Sequence, residues 1–110
     1  MHETKAFTRA LNSLILESGR TVIQLAECSD IPECDWYRHI NGVRCKPELP
    51  KVMDMARGIA GKPYADERDP EVRKNFLKLT LALTKDAAVV RAQKRARLEE
   101  KQSRPRQRDS

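Results

Sequence analysis

Between Pro70 and Pro105 the chain carries neither glycine nor proline. Asp69-Pro70-Glu71, at the head of that run, combines a capping acid, a proline whose missing N–H costs nothing in a first turn, and an acid beside the positive end of a helix dipole. Val72, Phe76, Leu79, Leu83 and Val90 trace an apolar stripe through it at approximately heptad spacing. One long helix is predicted over 69–98. Past Val90 the apolar content collapses into RAQKRARLEEKQSRPRQRDS, so 99–110 is expected to be a disordered basic tail. No segment alternates apolar and polar residues well enough to predict a strand. The chain is expected to be all-α.

Shorter helices are predicted ahead of it. Phe7, Leu11, Leu14 and Ile15 share one face of a helix over about 4–18, closed by Gly19. Thr21 and Gln24 form a capping box that opens a second helix, running to about Cys28. Ser29-Asp30-Ile31 reads as a turn, with Asp30 suited to a left-handed conformation. Pro32 is placed as the first residue of a third helix. In it Trp36 and Ile40, four positions apart, share the buried face, and Asn41-Gly42 ends it. A basic loop from Val43 to Lys46 follows. Pro47 and Pro50 frame a fourth helix with Leu49, Val52, Met53, Ala56 and Ile59 as its stripe and Gly61 as its stop. The division expected is a domain over 1–61, a linker over 62–68, the long helix, and the tail.

Aromatic residues make up only 5% of the chain, so the core must be modest and mostly aliphatic, while 35% charged residues imply a solvated helix or tail. The net charge of +6 is unevenly spread. Residues 91–110 hold eight Lys and Arg against three acids, leaving 1–90 nearly neutral at fourteen against thirteen. Cys28, Cys34 and Cys45 are odd in number and fit no zinc spacing. Cys28 is expected as a small core residue. Neither a secretory signal nor an apolar run of about 20 residues is present, so a cytoplasmic protein with reduced thiols and no membrane partner is expected. No His–carboxylate or Cys–His constellation and no phosphate-binding glycine loop is visible. The expectation is a protein that is not an enzyme and uses no cofactor or metal.

Two short helices joined by a tight turn, with a helix before and after, match the arrangement of helix-turn-helix DNA-binding domains. The residues carry the likeness further. TVIQLAECSDIPECDWYRHINGVRCKP resembles the phage repressor and Cro-like family, also called Xre-type: Leu25-Ala26 on the second helix, Ile31 in the turn, Trp36 at the apolar centre of the third, Gly42 after it, then Pro47 ahead of ELPKVMDMARGIA. The resemblance covers about residues 6–61 and implies a compact lambda-repressor-like domain of four to five helices. Three positions depart from the family pattern. Asp30 stands where glycine is usual, His39 where an apolar residue is common, with Ile40 expected to take over the packing, and Val22 where many members carry a polar residue that reaches phosphate.

By residue-to-residue match, the resemblance implies that Glu33, Cys34 and Arg38 face base edges, with Trp36 and Ile40 anchoring the recognition helix. Arg38 suits a bidentate contact to guanine, and Glu33 suits either a cytosine amino group or a purely structural place at the helix start. Thr21, Tyr37, Asn41, Arg44 and Lys46 are implied as contacts to the DNA backbone, which position without specifying. The long helix is expected to close the core, to pair with its copy in a homodimer, or both, with Phe76, Leu79, Leu83 and Val90 as dimerisation candidates. The leading expectation is a sequence-specific double-stranded DNA-binding repressor of phage or mobile-element type, in the cytoplasm at the nucleoid. Two alternatives remain: an antitoxin-like module whose C-terminal helix folds on a toxin partner, and an architectural or recombination accessory factor with little sequence preference.

Overall fold

The computed structural model describes residues 5–43 and 46–103. Among them are five helices and no strand: α1 Ala6–Ser18, α2 Val22–Glu27, α3 Glu33–Ile40, α4 Leu49–Ala60 and α5 Pro70–Ser103. Arg44, Cys45 and residues 104–110 lie outside the described residues. No described helix is long and apolar enough to cross a membrane.

Local chemistry sets most helix ends. Gly19 and Gly61 both take the left-handed conformation, and each donates its N–H back to the last turn of α1 or α4. At α4 a second device is added. The Arg20 guanidinium donates to the carbonyls of Ile59 at 2.9 Å and Ala60 at 3.2 Å, satisfying groups that no intrahelical amide can reach. A Cβ at position 61 would collide with that guanidinium. Thr21 and Gln24 form the reciprocal capping box of α2. Pro32 stands one position earlier than expected, as the N-cap of α3, and α3 accordingly runs 33–40. Asp30 does not adopt a left-handed conformation, because no described non-glycine residue has positive φ. The Ser29 hydroxyl closes that turn instead, donating to Leu25 O at 2.6 Å and accepting from the Ile31 N–H at 3.4 Å.

At the start of α5, Asp69 Oδ1 accepts the backbone N–H groups of Glu71 and Val72, at 3.0 and 3.2 Å, with Lys62 Nζ alongside. The Val72 N–H above all, with help from Lys62, holds the Asp69 carboxyl below its ordinary value of 3.8 despite some desolvation. A lowered folded-state pKa means that the charged cap stabilises above the ordinary value and is lost as pH falls through the folded one. The melting-temperature advantage of wild type over Asp69→Asn should therefore be constant above about pH 5 and shrink below about pH 4. A gap that is unchanged or widens on acidification would refute the charged cap.

One aliphatic core joins the helices. Phe7, Leu11, Leu14, Leu25, Ile31, Trp36, Val52, Met55, Ile59, Leu79 and Ala82 form a single buried cluster. Ala56, Ala60 and Val72 form a second between α4 and α5. Leu79 therefore closes the core, one of the two uses expected of the long helix, and is not free for dimerisation. Phe76 and Leu83 are partly buried against the same core, and Val90 is partly exposed.

Two polar side chains of α5 lie in this seam. Asn75 donates to Ala56 O at 3.2 Å. Asp86 is almost wholly buried and accepts the N–H groups of Ala6 at 2.8 Å and Phe7 at 3.1 Å, the first amides of α1. Lys5, the N-cap of α1, supplies no side-chain cap. Asp86 caps that helix from another element.

Ala60 meets Val72, and Leu14 and Glu17 line a groove with Glu71 and Lys74, so the far ends of α1 and α4 lie at the start of α5. The N-terminus of α1 lies at Asp86, so α1 and α5 are antiparallel. Past it α5 leaves the body. Every residue from Lys94 to Lys101 is exposed, and the helix persists to Ser103, beyond the expected end at 98. The lost apolar stripe removes packing, not helix propensity: Ala, Arg, Lys, Gln, Leu and Glu fill this stretch, and all are strong helix formers.

Candidate nucleic-acid interface

α3 is held by one face and free on the other. Trp36 is fully buried, and its Nε1–H donates to Ser29 Oγ at 3.2 Å. That hydroxyl thus gives its one hydrogen to Leu25 O and accepts from Ile31 and Trp36, which uses its whole hydrogen-bonding capacity. α4 crosses close beside the indole because position 58 is glycine. A Cβ there would lie 3.1 Å from Trp36 Cζ2 and 3.2 Å from Leu25 O.

The second anchor differs from expectation. His39, not Ile40, is the buried residue, and its ring meets Phe7 edge-on with centroids 6.1 Å apart. Ile40 is only partly buried against the core. From Trp36, steps of three and of four both stay on the buried side of a helix, and it is the three-step residue that points at Phe7. Asn12 Nδ2 donates to Ile40 O at 3.1 Å and so ties the end of α3 to α1.

On the other face Glu33, Cys34, Tyr37 and Arg38 are all exposed, Tyr37 at 49%. Asn41, the C-cap of α3, and Lys46 continue that exposed surface along the chain. Arg44, expected among the backbone contacts, lies outside the described residues. Cys28 is not a core residue as expected. It caps the end of α2 and is partly exposed. Val22 packs partly against the core, and its side chain has no polar group for a phosphate. Thr21 is exposed, but its N–H is engaged by Gln24 Oε1 and its oxygen accepts the Gln24 N–H. Only its hydroxyl hydrogen remains to be donated outward.

The charges on this surface are balanced. Asp35 accepts from Lys51 Nζ at 2.8 Å and from Arg38 Nη1 at 3.4 Å, so two cations share one carboxylate. An exposed pair such as Arg38–Asp35 is worth about 0–1 kcal/mol, so Asp35 holds the guanidinium only weakly. An open groove of about 410 Å³ between α3 and the start of α4 is lined by Lys46 and Lys51 but also by Glu48 and Asp54, which makes it a poor cradle for an anion. No group of three or more His, Cys, Asp or Glu among the described residues is arranged to hold a metal ion.

The roles of Asp86, Arg20, Asn12 and Gly58, and of the Ser29 hydroxyl in its turn, are not legible in the sequence, though Asp86 leaves a signal there. It continues the register of Val72, Leu79 and Ala82, and a carboxylate in a core register demands a partner. The fold defines a small all-helical protein. A scan against protein-family models, a search of curated proteins and a search of solved structures each find no match.

Proposed function

We propose that this chain is a sequence-specific double-stranded DNA-binding regulator of the phage repressor and Cro-like type, a lambda-repressor-like helix-turn-helix protein that represses by occupying an operator. One observation carries the reading. α3 is fastened by Trp36 and His39 while Glu33, Cys34, Tyr37 and Arg38 stand together in solvent on its opposite side. A rigid helix with one buried and one reaching face is what the major groove admits. In this role Arg38 takes a guanine and Glu33 a cytosine amino group, and Cys34 makes a small contact between them. Tyr37, Asn41, Lys46 and the Thr21 hydroxyl set the register on the phosphates, with Arg44 assigned to the same group from its place in the sequence.

The protein acts as a homodimer at the nucleoid. With Leu79 used in the core, the apolar side chains left on α5 for pairing are the exposed Leu77, Leu81 and Leu98, with Phe76, Leu83 and Val90 partly buried. The packing of α5 through Asp86 weighs against the antitoxin reading, which needs this helix loose until a toxin binds.

Selection of bound duplexes from a random library at about 150 mM salt tests the reading, with Arg38→Ala beside the wild type. The expected result is an enriched motif of two related half-sites, one helical turn or a multiple apart. Arg38→Ala should bind that motif about 10- to 100-fold more weakly, corresponding to one guanine contact of about 1–3 kcal/mol. Recovery without any enriched motif, the same for both proteins, would overturn the reading in favour of an architectural role.

A further inference from the structure

We infer that the part of α5 beyond the body is a second, sequence-independent phosphate-binding element, a helical arm that lies along the DNA backbone beside the site read by α3. The inference rests on the DNA-binding reading above and adds a contact to it.

The charge on the arm is sorted. At about 100° per residue, Arg91, Lys94, Arg95, Arg97 and Lys101 fall within one arc of about 160°, and Glu99 and Glu100 fall outside it. All five cations are exposed. Among the described residues none of them forms an ion pair. The row from Arg91 to Lys101 spans about 15 Å of helix axis, a length over which one strand of B-DNA presents about four phosphates.

Placement agrees with this use. α5 leaves the body at Asp86, beside the first turn of α1. That same turn carries Phe7, whose ring meets His39, and Thr8, whose side chain lies against Gly42 just after α3. The arm therefore departs from the end of the body where α3 finishes and the loop toward Lys46 begins. Its basic arc includes the helix edge marked by Phe76, Leu83 and Val90, and Phe76 packs toward Met53 of α4.

The rest of the chain leaves a need for such an arm. Residues 1–90 are nearly neutral, with fourteen Lys and Arg against thirteen acids. On and beside α3, Glu33, Asp35 and Asp30 oppose a polyanion. Counterion release, the main source of general affinity for DNA, then has to come from elsewhere. The arm carries five Lys and Arg against two acids, and from Lys94 to Lys101 every residue is exposed, so its charge is not spent on the core.

The test measures binding of the full-length chain to two fluorescein-labelled 30-bp duplexes, one from the selection above and one scrambled, between about 50 and 300 mM salt. Three proteins are compared: wild type, Lys94→Gln/Arg95→Gln/Arg97→Gln, and a control that removes three cations from another side of the same helix, Lys74→Gln/Lys78→Gln/Lys85→Gln. The arm variant should show a salt dependence less steep by roughly 2–3 in the log–log slope, because each lost phosphate contact removes about 0.9. Its affinity should fall on the order of tenfold or more at about 100 mM salt, equally for both duplexes, while the control stays close to wild type. A wild-type slope in the arm variant would overturn the arm and leave the α3 reading standing. Equal flattening in both triple variants would show a net-charge effect and likewise overturn it. Failure of the wild type to bind either duplex would remove the DNA reading, and the arm with it.

Discussion

Trp36→Ala is expected to lower the unfolding free energy by about 3–5 kcal/mol, the largest effect of any single change in α3. Three losses combine. The indole is fully buried, so its removal forfeits the transfer free energy of the chain's only tryptophan and leaves a cavity beside Gly58, a position with no side chain to collapse into it. The Ser29 hydroxyl loses one of its three partners. The turn between α2 and α3 loses its fixed relation to the helix that follows. At roughly 4–8 °C per kcal/mol for a domain of this size, the melting temperature should drop by more than about 12 °C. Trp36→Phe separates the contributions, since it keeps much of the apolar volume and discards the N–H. It should cost markedly less than the alanine change. An alanine variant that melts with the wild type would show that the indole is not the anchor of α3.

Asp86→Ala is expected to cost about 2–4 kcal/mol, although the residue sits in the middle of a helix and is no part of the candidate interface. Its carboxylate receives two backbone N–H groups, and hydrogen bonds to a charged group contribute about 1.5–3 kcal/mol each before non-additivity is considered. Truncation leaves the Ala6 and Phe7 amides without the one side-chain cap they have among the described residues, next to a buried ring. Asp86→Asn keeps one acceptor oxygen and should fall between the two. Chemical denaturation gives the free energies, and hydrogen exchange at the amides of Ala6 and Phe7 gives the location. Protection there should collapse in the alanine variant before it changes in α4. A stability within about 0.5 kcal/mol of wild type, the range of an ordinary surface substitution, would contradict the cap.

What could be read in advance follows the range over which each interaction acts. The capping box at Thr21, the glycine stops at 19 and 61, the Asp69 cap and the buried Trp36 all depend on neighbours within one or two turns, and periodicity exposes them. Periodicity tells which face of a helix is buried but not what it meets. Arg20 finds the end of α4, Asn12 the end of α3, and Asp86 the start of α1. Each partner lies 28 to 80 positions away in sequence, where no local pattern points. Register alone admits both His39 and Ile40 to the buried side of α3; Ile40 does pack partly against the core, but His39 is buried more deeply. Once Phe7 offers an aromatic face, an imidazole packs where an aliphatic chain was expected. α5 outlasts its apolar stripe, running to Ser103, because helix propensity continues where packing stops. At the candidate interface, the exposed Glu33, Cys34, Tyr37 and Arg38 were all legible from the α3 wheel, whereas the hold of Asp35 on Arg38 and Lys51 required coordinates.

The bond from Asp86 to α1 also has a consequence for how the chain is made and how it can be divided. During synthesis α1 emerges before the other four helices, yet the group that completes it is added only after all of them have begun, so the earliest of the five is among the last to be finished. Residues 6–61 contain the whole described interface, but cut away from α5 they would expose the core side that Val72, Leu79 and Ala82 cover and leave the head of α1 open. A recombination event or an engineered fusion that carried off α3 alone would transfer its exposed face without the body that holds it in place. The smallest segment that can be inherited intact runs past residue 86, and it brings the base of the basic arm along with it.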